Sequence, residues 1–125
     1  MARRLVVLAA ALLGAAAAGQ ACSNEIAGGR ADGAAIFAEV CARCHGPVGV
    51  PDPASVARLG VKPLDSAHVQ QQLTDQDIRH QILSGSRNRQ MPAFAGALSE
   101  EQVDAIVAHV RTLDRRSSAL PTGRK

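Results

Sequence analysis

Residues 41–45 read CARCH, so two of the chain's three cysteines stand three positions apart and a histidine follows the second at once. At a helix end this spacing puts both sulfurs near one face, about one turn apart, with the imidazole rotated by roughly a further 100°. Three chemistries use such residues. A disulfide or thioredoxin-like redox pair needs only Cys41 and Cys44, but it sits at the start of a helix that follows a strand, and no segment here alternates with the period of a strand. A structural zinc ion needs four ligands; there is no second cysteine pair, and His68, His80 and His109 are scattered without ligand spacing. The third chemistry uses all three residues. Two thiols add to the two vinyl groups of a haem, and the adjacent imidazole of His45 ligates its iron, which is the sequence signature of c-type haem attachment.

A second ligand is visible further along. Methionine occurs twice, and Met1 belongs to the leader, which leaves Met91 as the candidate. A lone methionine is ordinarily core filler. Met91, however, lies in a proline-containing loop, QMPAF, between two helical patterns, and a neutral thioether opposite an imidazole is a recognised haem pairing that raises the reduction potential.

The elements that must position these residues read as helices. Asp32 caps a helix through GAAIFAEVCARC, where Ile36, Phe37, Val40, Cys41 and Cys44 recur at helical spacing. Residues 46–72 hold Pro47, Pro51, Pro53 and Pro63 with several glycines and read as irregular loop with at most short helical turns. Thr74 and Asp77 open a second helix with Ile78 and Ile82 on one face and Gly85 as its stop. Residues 86–97 follow as a loop, because Pro92 biases Met91 toward extended backbone. Ser99 and Gln102 then form a capping-box pattern ahead of the stripe Val103, Ile106, Val107 and Val110.

The N-terminus has Arg3 and Arg4 before an apolar run from Leu5 to Ala18, the layout of an export signal, so residues 1–21 read as signal peptide. The run is shorter than the roughly 20 residues that span a bilayer. Cleavage after Ala18 or Ala21 fits small residues, and a further alternative makes Cys22 a lipidated N-terminus that attaches the chain to a membrane; Gly19 stands where a lipobox usually has an aliphatic residue. Residues 22–31 read as a flexible tether, 32–114 as the domain and 115–125 as a frayed C-terminal tail. Removing Arg3 and Arg4 lowers the formal net charge from +3 to +1, which removes the case for nucleic acid as a partner. The domain is small, and Phe37 and Phe94 are its only aromatic residues, so a bound group is expected to supplement its core.

Residues 32–114 resemble a bacterial class I cytochrome c. The resemblance rests on DGAAIFAEVCARCHG as N-terminal helix and haem motif, ILSGSRNRQMPAF as distal-ligand loop and LSEEQVDAIVAHVRTL as C-terminal helix. It implies an all-α fold in which the N- and C-terminal helices cross, with Gly33 and Phe37 meeting Ile106 and His109; the family usually has an aromatic residue at the place of His109. It further implies one covalent haem c held by Cys41 and Cys44, with His45 and Met91 on the iron. A proline carbonyl is expected to accept the proximal imidazole N–H, with Pro53 as first choice and Pro51 as second. The function implied is that of a periplasmic, monomeric single-electron carrier acting on redox partner proteins rather than an enzyme. Alternatives are an attached haem subunit of a dehydrogenase or oxidase, or a haem peroxidase, against which a distal Met91 argues. Arg43, Arg87 and Arg89 could ring the exposed edge and steer an acidic partner, or simply form a solvated face.

Overall fold

The computed structural model describes residues 26–118, and among them every regular element is helical. The chain enters through a left-handed turn at Ile26–Gly29 and proceeds into α1 (Gly33–Ile36), capped by the Asp32 carboxylate, which accepts from the Ala35 amide at 3.0 Å. The helix does not stop there. It passes through a π-helical turn, Phe37–Cys41, and returns to α-helix as α2 (Ala42–His45). After a loop come α3 (Pro53–Leu59), a second π turn at His68–Gln72, α4 (Asp75–Ser84) and α5 (Glu100–Ser118). No helix among the described residues is long and apolar enough to cross a membrane.

Packing centres on the crossing of α1 with α5. Gly33 lies so close to α5 that a methyl group in its place would stand 2.0 Å from the Ala105 carbonyl oxygen and 3.1 Å from the His109 Cβ. Phe37, one turn on, is 2% exposed, and its ring centroid lies 4.9 Å from that of His109, tilted by 50°. That separation falls in the range of favourable ring pairs. The expected crossing is therefore present, with Ala105 and His109 nearest Gly33 and His109 against Phe37. Around it Ile36, Val103, Ile106, Val107 and Val110 are buried together with Ile78 and Ile82 from α4. Each such side chain contributes about 1.5–3 kcal/mol when removed from water.

Both capping patterns form. The Thr74 hydroxyl accepts from the Asp77 amide while the Asp77 carboxylate accepts from the Thr74 amide, and Ser99 and Gln102 make the corresponding pair of bonds ahead of α5. Gln102 does more. It is 1% exposed, and its Nε2 donates to the carbonyls of Ile26 and Arg30, both at 3.1 Å. The Ala27 amide donates to Glu39, and Ala27 is itself buried. Residues 26–30, part of the segment read as a tether, are thus held by hydrogen bonds from elsewhere in the chain. A Gly-rich segment can be fixed by donors elsewhere in the chain, and the donor here is a capping residue with an amide nitrogen to spare.

Two helices add detail to the sequence reading. Residues 53–59 form nearly two turns, because Asp52 caps them through the Ser55 amide at 2.9 Å, Pro53 occupies the first turn and Gly60 closes them at φ 65°. Proline is well placed in a first turn, where its missing N–H has no partner to lose. At the other end α5 extends to Ser118, past the boundary placed at residue 114. Neither Gly nor Pro interrupts the chain before Pro121. The residues read as signal peptide, Cys22 and the last seven positions lie outside the described residues.

Replacing Gly33 by Ala sets a methyl group against immovable backbone. The G33A protein is expected to lose about 3 kcal/mol, the upper end of overpacking costs. Its thermal midpoint should fall by roughly 10 °C or more, since about 1 kcal/mol moves a domain of this size by 4–8 °C. A midpoint within a couple of degrees of the parent would show that the crossing is not the tight contact described.

Candidate functional site

The motif residues occupy the last turns of the first helical run. Cys41 closes the π turn, while Cys44 and His45 lie in α2, which Gly46 ends at φ 74°. A side chain at position 46 would meet the Val50 carbonyl oxygen at 2.1 Å, so the chain must turn here without one. Beyond it the Gly49 carbonyl accepts from the Leu64 amide at 2.8 Å, which folds the 61–65 segment back across the motif.

That fold-back supplies the partner of His45. Its Nδ1 lies 3.1 Å from the carbonyl oxygen of Lys62. A carbonyl can only accept, so Nδ1 carries the proton and Nε2 keeps its lone pair, the arrangement in which a histidine serves a metal. Burial, working against the Lys62 hydrogen bond, lowers the pKa of His45 below the ordinary histidine value and keeps the imidazole neutral further into the acid range. The expectation that Pro53 or Pro51 accepts this proton is corrected: the acceptor is the residue before Pro63. Pro53 instead starts α3.

Cys41 and Cys44 are not joined in a disulfide. Burial, with a smaller contribution from Cys44, pushes the Cys41 thiol up to about 11. A thiol–disulfide redox pair needs a depressed pKa and a place at a helix N-terminus; Cys41 has a raised one, and both cysteines stand toward the C-terminal end of their helical run. Nor do they form a metal cage. Among the described residues no three His, Cys, Asp or Glu side chains converge on a common ion. Two unpaired, partly buried thiols beside a neutral imidazole with a free Nε2 fit attachment to a porphyrin edge, with the imidazole serving its centre.

Met91 sits on a separate segment, and the loop around it is built by backbone hydrogen bonds. The Ser86 amide donates to the Met91 carbonyl at 3.0 Å, and the Met91 amide donates to Ser86 Oγ at 2.9 Å, which closes residues 86–91 into a ring. Gly85 ends α4 at φ 71°, and a Cβ there would lie 2.6 Å from the Met91 carbonyl oxygen. Past Pro92 the amides of Phe94 and Ala95 donate to the carbonyls of Ile82 and Leu83, so the loop caps the helix end it leaves. Met91 and Phe94, like Val40 and Leu64 from the motif side, pack partly buried against the same core. The two segments thus rest on one hydrophobic cluster.

The arginines divide. Arg43 donates from Nε to the Glu39 carbonyl of its own helix, whereas Arg87 and Arg89 are exposed on the methionine loop, Arg89 at φ 59°. Sequence reading passed over two groups at the site: the Lys62 carbonyl, a backbone atom without a residue signature, and Gln81, whose Nε2 donates to the Gly85 carbonyl at 2.8 Å and lies 3.9 Å from Met91 Sδ. An open groove between α4 and α5, lined by Asp75, Arg79, Glu100 and Asp104, includes none of the predicted site residues; its arginine is bound to Glu100 and Asp104.

Comparison with known proteins agrees with this geometry. Residues 29–110 match the family described as cytochrome c oxidase, cbb3-type, subunit III, and the chain belongs to that family of haem c domains. A solved structure, the KustC0563 c-type cytochrome, superposes with a TM-score of 0.60 at 32% sequence identity, covering 66% of this chain and 96% of its own. No match is found among curated protein sequences. The all-α fold is that of a monohaem class I c-type cytochrome, and the cofactor is a covalently attached haem c that transfers electrons.

The ring that holds Met91 has one side-chain member at its neck. S86A is expected to lose about 1 kcal/mol, the worth of an ordinary hydrogen bond, and to lower the thermal midpoint of the holoprotein by about 4–8 °C with its helix content unchanged by circular dichroism. An unaltered midpoint would mean that Ser86 Oγ does not bind the Met91 amide.

Proposed function

We propose that Cys41 and Cys44 carry the thioether links, that His45 Nε2 and Met91 Sδ are the two axial ligands, and that the protein is an exported periplasmic single-electron carrier without a substrate of its own. The observation that carries this reading is the bond from His45 Nδ1 to Lys62, which leaves Nε2 as the one free ring nitrogen beside two unpaired thiols. When bound, haem c supplies the one-electron Fe(III)/Fe(II) couple. The chain's own residues hold it. Lys62 fixes the tautomer and orientation of His45, the Ser86 ring fixes the backbone of Met91, and Val40, Leu64 and Phe94 tie both segments to the shared apolar core. A sulfur ligand stabilises the ferrous state and occupies the position at which peroxide would bind, which favours a carrier over a peroxidase.

A second reading, an attached haem subunit of an oxidase or dehydrogenase, draws on the family's description as a subunit of a cbb3-type oxidase. It uses the same chemistry with a permanent partner in place of transient ones. Co-purification with a larger complex through stringent washing distinguishes it from a free monomeric shuttle.

The ligand assignment is tested on protein made in a host that attaches haem c. The haem should remain with the polypeptide through denaturation and acidic organic extraction, and C41A together with C44A should abolish that retention. Oxidised wild type should show the weak far-red charge-transfer band of thioether ligation. In M91A the band should vanish, peroxide turnover should rise and the potential should drop by on the order of 0.1 V, within the roughly 0.8 V that axial ligands command. A mutant that keeps band and potential would exclude Met91 as the ligand.

Export rests on the Arg3–Ala18 pattern, and a lipid anchor would rest on Cys22. If Cys22 is acylated, the native protein partitions into detergent and C22S releases it to the soluble fraction, because several acyl chains hold where one binds only marginally. A soluble wild type with a mature N-terminus at Gly19 would assign the protein to the free periplasmic form.

A further inference from the structure

Gln81 stands one turn before the end of α4, and its carboxamide bridges that helix end to the sulfur of Met91. The amide is oriented by its shorter contact. At 2.8 Å from the Gly85 carbonyl oxygen an amide oxygen would set two acceptors against each other, so the NH2 group occupies that place. An NH2 group has two N–H bonds. Gly85 takes one, and Met91 Sδ, 3.9 Å from the same nitrogen, is the acceptor for the other.

Both ends of this contact are held by backbone. Gly85 has no room for a side chain against Met91, and Met91 is bonded through its own amide and carbonyl to Ser86. The Gln81 side chain spans from its place on α4 to the Gly85 carbonyl that ends the helix, so it cannot leave the sulfur without giving up that bond as well. A thioether sulfur has two lone pairs and is a weak acceptor. We propose that Gln81 is a positioning residue for Met91: its N–H engages one lone pair of Sδ, which leaves the other for the iron, and it withdraws electron density from the sulfur. This inference rests on the reading of Met91 as distal ligand.

The direction of the effect follows from charge. The ferric state depends more on donation from its ligands than the ferrous state does, so a donor hydrogen-bonded to the sulfur favours Fe(II), as hydrogen bonds around a ligand do generally. Removing it should lower the potential while the sulfur still binds. A negative charge in the same place should lower it further, because it stabilises the ferric charge.

The test compares wild-type holoprotein with Gln81→Leu, which keeps the volume without a donor, and Gln81→Glu, which keeps the shape and replaces NH2 by an oxygen. Leu and Glu are both good helix formers, and circular dichroism should report an unchanged helix content. Both variants should retain the far-red band. At a fixed applied potential the Fe(III)/Fe(II) ratio should rise at least about threefold in Gln81→Leu, a drop of roughly 28 mV from about 59 mV per decade for one electron, and more in Gln81→Glu. The hyperfine-shifted haem-methyl resonances of the oxidised variants should also change their spread, since that pattern reports the orientation of the sulfur lone pair. Retained band with unchanged potential and unchanged resonances in both variants overturns the role of Gln81 and leaves Met91 as ligand. A wild type that lacks the band, with a potential indifferent to Met91→Ala, overturns the reading of Met91 itself.

Discussion

Backbone touches backbone where Gly33 passes Ala105, and the rest of the molecule is arranged by that contact. With no side chain to separate them, α1 and α5 come close enough for Phe37 to reach the ring of His109 and for Ile36 to share a cluster with Ile106 and Val110. The direction that α1 takes from this crossing determines where the motif at its far end emerges. The same closeness lets Gln102, at the start of α5, gather the chain before α1 through the carbonyls of Ile26 and Arg30. At the crossing the imidazole of His109 supplies the ring that meets Phe37.

Small domains bury a limited share of their surface, and this one has few large side chains to bury. Its buried core is mainly isoleucine and valine. The two segments that would hold the cofactor each lay part-buried apolar groups against that core, Val40 and Leu64 from one side, Met91 and Phe94 from the other. A covalently attached haem c is for such a chain a structural member as well as a redox centre, so attachment and stability are coupled.

What the sequence disclosed was whatever depends on residue type at fixed local spacing. The capping pairs Thr74/Asp77 and Ser99/Gln102 and the stripe of α5 follow from such spacing, and each is present in the structure; the all-α class, implied by the resemblance to a class I cytochrome c, is present as well. What it concealed depends on backbone atoms brought together from afar. The acceptor for His45 is a main-chain oxygen 17 residues away, which any residue could supply, so no side-chain type marks it in the sequence. The length of the helix at Pro53 depends on Asp52 before it and Gly60 after it, which turn a residue that usually breaks helices into the first of this one. Residues 26–30 looked structureless because their order comes from Gln102 and Glu39, far along the chain.

The π turn at Phe37–Cys41 separates two tasks that a uniform helix would force together. It carries one more residue than an ordinary turn, so everything after it is rotated by roughly 100° from where an unbroken α-helix would have put it. Gly33, Ile36 and Phe37 keep the phase that packing on α5 demands, while Cys41, Cys44 and His45 follow a phase of their own. The helix is in effect a keyed shaft with an offset joint. Residues ahead of the joint answer to the opposing helix, and those behind it, on the proposed ligation, would answer to the prosthetic group, so either end can change without disturbing the alignment of the other.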